Sequence, residues 1–244
     1  MGTVIAITSG KGGTGKTSIT GGIAASLALM GRKVLCIDMD VGLRNLDISL
    51  GLSDRALMDF SDVALGRCSL ARAAVEHPDL PGLALLSAPM TMSASLTTDK
   101  VCALLEEART GYDYILIDSP AGLGSGFQLA TSGVDRAIVI ATNDASSLRD
   151  AQRTVAELGH LKTIHLVMNR IQTKLLRKLR TTIDDAMNTA GLPLIGVVPE
   201  DPQVILCANL GRPLTTRGRR GAALACWNIA QRLEGHRVPI MRIR

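Results

Sequence analysis

Apolar residues fall along this 244-residue chain in short, nearly unbroken runs, separated by stretches where they recur every three or four positions. The runs span residues 3–8, 33–38, 83–87, 114–118, 137–141, 164–168 and 194–198. Each is short for a helix and too continuous for a strand with one wet face. The pattern therefore predicts strands buried on both sides, as in a parallel sheet. Between them, Ile19, Ile23, Leu27 and Met30 make one helical stripe. Leu175, Leu179, Ile183 and Met187 make a second at i, i+4 spacing. Such alternation predicts an α/β fold: a single doubly wound, mostly parallel sheet flanked by helices, with right-handed crossovers. No repeat, low-complexity tract or linker interrupts the chain, so residues 1–235 are expected to form one domain, followed by a short basic tail, 236–244.

Composition narrows the chemistry. Hydrophobic residues make up 46% of the chain but aromatics only 2%, so the core must be built from Ala, Val, Ile, Leu and Met. Phe60, Tyr112, Tyr114, Phe127 and Trp227 are too scattered for a base-stacking platform, which argues against single-stranded nucleic acid as the main ligand. The net charge of +5, weighted towards the C-terminal half, offers an Arg-rich face to DNA phosphates, an anionic membrane or solvent. Cys36, Cys68, Cys102, Cys207 and Cys226 show no CxxC pair, and the four histidines are equally dispersed, so a metal cage is not indicated. Reduced thiols, the lack of a signal-peptide pattern and the lack of an apolar run near 20 residues lead to a cytoplasmic expectation.

The strongest chemical signal is Gly10-Lys11-Gly12-Gly13-Thr14-Gly15-Lys16-Thr17, which fits GxxxxGK[ST] directly after the first strand and before a helix. Glycines let successive backbone N–H groups curl around phosphate oxygens, and the helix N-terminus adds positive potential there. Lys16 is then placed for the β and γ phosphates and Thr17 for Mg²⁺. Asp38 and Asp40, at and just past the end of the second strand, would lie beside this loop at the carboxyl edge of the sheet. Asp38 suits the water shell of the metal, and Asp40 suits positioning of an attacking water. Residues 112–118, an apolar strand ending in Asp118, supply a third acid for the metal.

With these segments in order, the chain resembles the ParA/MinD superfamily of deviant Walker A P-loop ATPases, and within it most closely the MinD septum-site-determining branch. SGKGGTGKTS, DMDVGLRNLD, DSPAG, SSLRD, MNR and GVVPEDPQVI carry the likeness over nearly the whole chain. The resemblance implies a Mg²⁺-dependent switch that binds ATP or ADP and dimerises with ATP. In it, Lys11 reaches across to the partner's phosphates, while Lys11, Gly12, Gly13, Thr14, Gly15, Lys16, Thr17 and Ser18 cradle its own. Asn169 and Arg170 would flank the base on one side, and Pro199, Glu200 and Asp201 on the other. The implied catalytic set is Lys11, Lys16 and Asp40, and the metal set Thr17, Asp38 and Asp118. Implied partners are a second copy, MinC-like and MinE-like regulators, and the inner face of the cell membrane.

Several departures bear on those partners. Thr14 stands where the family usually has Val, and Ser18 where it has Thr. The segment Asn143-Asp144-Ala145-Ser146-Ser147 is one residue shorter than the family's, near the expected partner face. Pro239 interrupts the tail, which is short for a membrane anchor and is expected to fray. The alternatives are another cellular-positioning ATPase of the superfamily or a DNA-binding segregation ATPase, the latter with Lys174, Arg177, Lys178 and Arg180 and the cluster Arg217, Arg219, Arg220 as phosphate contacts. The GLRNLD run argues against the DNA-binding reading. An iron–sulfur carrier lacks its CxxC, and a tyrosine kinase of related fold lacks its C-terminal tyrosines.

Overall fold

The computed structural model describes residues 1–241 and 243; Arg242 and Arg244 of the tail, and the side chain of Arg217, lie outside the described residues. The strands are β1 (Thr3–Thr8), β2 (Val34–Asp38), β3 (Val75–Glu76), β4 (Leu83–Leu86), β5 (Tyr114–Asp118), β6 (Arg136–Ala141), β7 (Ile164–Ile171) and β8 (Leu194–Pro199). They form one sheet in the order β3-β4-β2-β5-β1-β6-β7-β8, parallel except for the two-residue β3. Seven of the eight match the apolar runs. The eighth, Val75–Glu76, is too short to leave a pattern.

The helices are α1 (Lys16–Leu29), α2 (Leu46–Leu50), α3 (Phe60–Ala64), α4 (Leu70–Ala73), α5 (Thr98–Gly111), α6 (Ser125–Thr131), α7 (Ala145–Glu157), α8 (Thr173–Leu179), α9 (Ile183–Ala190), α10 (Pro202–Asn209) and α11 (Gly221–Leu233). Along β1, Ile5 and Ile7 join one core with α1 and α11, while Val4 and Ala6 face the opposite layer. Both faces are buried, which is why the strand reads as continuously apolar rather than alternating. The chain leaves β1 towards β2 on one side and later places β6 on the other. The order therefore reverses at β1, and a crevice opens beyond its carboxyl end.

Two expectations fail locally. The stripe through Leu175, Leu179, Ile183 and Met187 is not one helix. Arg180, at φ 52°, closes α8 in the left-handed conformation, and Thr182 starts α9 through a reciprocal capping box with Asp185. That local cap outcompetes continued helix. Ile183 and Met187 pack on the core, whereas Leu175 and Leu179 stay exposed. The described residues of the tail, expected to fray, are packed on the domain. Arg232 of α11 donates to the carbonyls of Ile195, Val238 and Pro239 at 2.7, 3.1 and 2.7 Å. This pins the segment across edge strand β8, and Met241 and Ile243 contact the core. Among the described residues, no helix is long and apolar enough to cross a membrane.

Candidate functional site

The loop after β1 is shaped by tertiary contacts as well as by its glycines. Gly15 adopts φ 88° at the mouth of α1, and a Cβ there would lie 2.4 Å from Asn169 Nδ2. That amide, on the end of β7, donates to the carbonyl of Thr14 at 2.7 Å and braces the loop from behind. Thr14 and Asn169 are both buried, so the brace is shielded from water. The first turn of α1 has no side-chain cap, which leaves its N–H groups facing the crevice, where an anion fits them. Lys16, in that first turn, is 7% exposed.

Asp38 and Asp118 are paired in register at the ends of β2 and β5, side by side under the loop. Asp118 accepts from Thr17 Oγ1 at 2.6 Å and from Thr20 Oγ1 at 3.3 Å. Asp38 accepts the backbone N–H groups of Asp40 and Leu46 at 2.9 and 3.1 Å, fixing the turn that carries Asp40. Burial and the neighbouring Asp38 charge push Asp118 up to about 7, against the Thr17 hydrogen bond and the Lys16 charge. Burial likewise raises Asp38 to about 6 despite its two backbone donors. Asp40, less enclosed, is raised by burial, with Lys16 pulling the other way.

Two buried carboxylates and a hydroxyl make an all-oxygen donor set that lacks positive charge, which fits a hard divalent cation. Among the described residues, no three His, Cys, Asp or Glu side chains form a closed cage. A P-loop site does not require one, because water and phosphate supply the remaining ligands. Mg²⁺ there would be held by Thr17, with Asp38 and Asp118 behind it, and would offset charge on the transferring phosphate.

Lys11 lies apart from Lys16. Its ammonium donates to Asp144 Oδ1 at 2.7 Å and to Ser146 Oγ at 2.9 Å, at the start of α7. Burial alone would raise Asp144, but hydrogen bonds from Lys11, Ser146 and Thr142 hold it well below the usual carboxylate range. Asp144 also caps α7 by accepting from Ser147 N at 2.9 Å. The cap is foreshadowed by the Asp-Ala-Ser-Ser sequence, but the pairing with Lys11 is not.

Beyond the loop, a cavity of about 200 Å³ continues between the ends of β7 and β8. Val198, Pro199, Val204, Ile205, Leu214 and Ala222 give it apolar walls. Arg170 and Glu200 pair at 2.9 Å at its rim, and Arg170 holds φ 56° while reaching Gly13 O at 3.4 Å. Asn169, Arg170, Pro199, Glu200 and Asp201 thus all line this one cavity, and Asn169 also braces the loop. Val204, Ile205, Leu214 and Ala222 have no site role assigned from the sequence, because ordinary apolar residues carry no chemical signature.

A phosphate-cradling loop, a metal-competent pair of acids and an apolar cavity for a flat ring define the class: a P-loop nucleotide-binding protein. Residues 5–214 match the family described as the CobQ/CobB/MinD/ParA nucleotide binding domain, and the chain belongs to it. It is 37% identical to the septum site-determining protein MinD of Synechocystis, over 99% of this chain and 92% of that protein. The MinC:MinD cell division protein complex of Aquifex aeolicus superposes with TM-score 0.91 at 37% identity, covering 98% of both chains. MinD complexed with Mg-ADP from Pyrococcus horikoshii superposes with TM-score 0.83 at 28% identity, covering 96% of both chains. Within its family this is a MinD-type chain, and the fold and nucleotide chemistry are those of the family's ATPases.

Proposed function

We propose that this chain hydrolyses ATP with Mg²⁺ as a dimerising switch that takes part in placing the division septum. The carrying observation is the separation of the two loop lysines. Lys16 is enclosed beside Asp40 and Asp118, whereas Lys11 is turned outwards onto Asp144 and Ser146. An enclosed lysine serves the phosphates of its own site. A cation held at the rim by one carboxylate can exchange that partner for the phosphates of a second copy, where it acts as a finger on transition-state charge, worth about 10³–10⁵ in rate. In this reading Lys16 and the loop N–H groups bind phosphate, Asp40 positions the attacking water, and Asp38, Asp118 and Thr17 serve the metal. The MinC:MinD complex of Aquifex aeolicus supports a MinC-like partner, and in this reading the ATP-bound pair is the form that engages it. A MinE-like activator and an anionic membrane are further candidate partners. Size-exclusion chromatography with Mg-ATP or Mg-ADP, with and without lipid vesicles, tests the switch. A dimer with ATP alone is expected, and Lys11→Ala should bind ATP but stay monomeric; a monomer with both nucleotides in the native chain overturns it.

A further inference from the structure

The Asp201 carboxylate, at the edge of the cavity, accepts from the N-termini of two helices. Its Oδ1 accepts from Gln203 N at 2.9 Å, capping α10, and its Oδ2 accepts from Ala222 N at 2.9 Å in the first turn of α11. The helix α11 has no cap of its own, since Arg220 at the cap position offers no side-chain acceptor. One carboxylate therefore ties two helix N-termini together, where both dipoles favour negative charge. The neighbour Gly221 is fitted to this joint: at φ 51°, a Cβ there would lie 2.1 Å from Asp201 Oδ2. The two helices joined in this way carry Val204, Ile205 and Ala222, the far wall of the apolar cavity.

We infer that Asp201 and Gly221 form a joint that holds this wall closed on the base, making Asp201 a positioning residue that acts on base recognition through the two helices its carboxylate ties together. The inference rests on the nucleotide-binding reading of the same cavity. Phosphate binding, by contrast, depends on the loop and the first turn of α1, and the Asp201 carboxylate bonds to neither: its partners are Gln203 N and Ala222 N. Breaking the joint therefore separates the two halves of the ligand.

The test compares Mg-ATP with Mg-tripolyphosphate, which has neither base nor ribose, by calorimetry on the full chain. Asp201→Ala should weaken ATP about tenfold, from two lost charge-assisted hydrogen bonds, and tripolyphosphate less than about twofold. The KM for ATP should rise with kcat at saturation unchanged. Asp201→Asn keeps one acceptor and should fall between, at about threefold. If Asp201→Ala does not fold, Gly221→Ala decides, because its methyl pushes on the same carboxylate and should give the same ATP-selective loss. Equal losses of both ligands, or an unchanged ATP-to-tripolyphosphate ratio in the folded variant, overturn the joint. A native chain that binds neither ligand overturns instead the nucleotide reading beneath it.

Discussion

The wall assigned to phosphate and the wall proposed to meet the base are built by opposite means. The phosphate wall is one contiguous loop, Gly10–Thr17, stiffened by buried polar contacts: Asn169 on Thr14 and Asp118 on Thr17. The proposed base wall is drawn from β8, α10, residue Leu214 and α11, presents Val198, Val204, Ile205, Leu214 and Ala222 with the charged pair Arg170 and Glu200 at its rim, and is joined by Asp201. Charge must be met at fixed points by directed donors, whereas a flat apolar ring needs only a dry slot of the right width. The first demand selects residue types at set spacings; the second is met by any aliphatic side chains that arrive together.

The contrast breaks most sharply at Lys16. Lys16→Ala should weaken both ATP and tripolyphosphate by about 100-fold, since a charged donor to phosphate is lost in an enclosed site, and calorimetry reads both losses. Equal affinity before and after would show that the backbone alone binds phosphate. Next is the brace: Asn169→Ala should cost about 1–3 kcal/mol of stability by chemical denaturation, because the Thr14 carbonyl is left buried without its donor.

The acid pair sharpens the comparison through pH. Asp118 and Asp38 are raised to about 7 and 6, chiefly by burial, so the folded protein holds protons that the unfolded chain releases. The resulting stabilisation is complete at pH below the ordinary carboxylate range and is lost as pH rises through 6 to 7. Without metal, the protein should melt at a higher temperature at pH 5.5 than at pH 8, and Asp118→Asn should flatten the difference. A melting temperature that climbs with pH in the native chain contradicts this. The smallest effect belongs to the base wall. Ile205, 66% exposed, lines the cavity proposed for the base, so Ile205→Ser should weaken ATP about fivefold and leave tripolyphosphate unaffected.

Much of this could be read without coordinates, and the reason lies in range. The doubly wound sheet was legible because buried parallel strands need unbroken apolar runs such as Val4–Ile7 and Ile115–Ile117. The candidate phosphate loop and the acids beside it were legible because phosphate and metal chemistry demands Gly, Lys, Thr and Asp within short windows. Tertiary structure alone decided the rest. It set Lys11 against Asp144, 133 positions away, and Asn169 behind Thr14, 155 away. It broke the 175–187 stripe at Arg180, where the Thr182–Asp185 cap prevailed over periodicity, and it laid the tail along β8 under Arg232. It also gathered Val204, Ile205, Leu214 and Ala222 into one wall. Apolar contacts are non-directional and interchangeable among side chains, so their sequence carries the instruction to be buried but not the address.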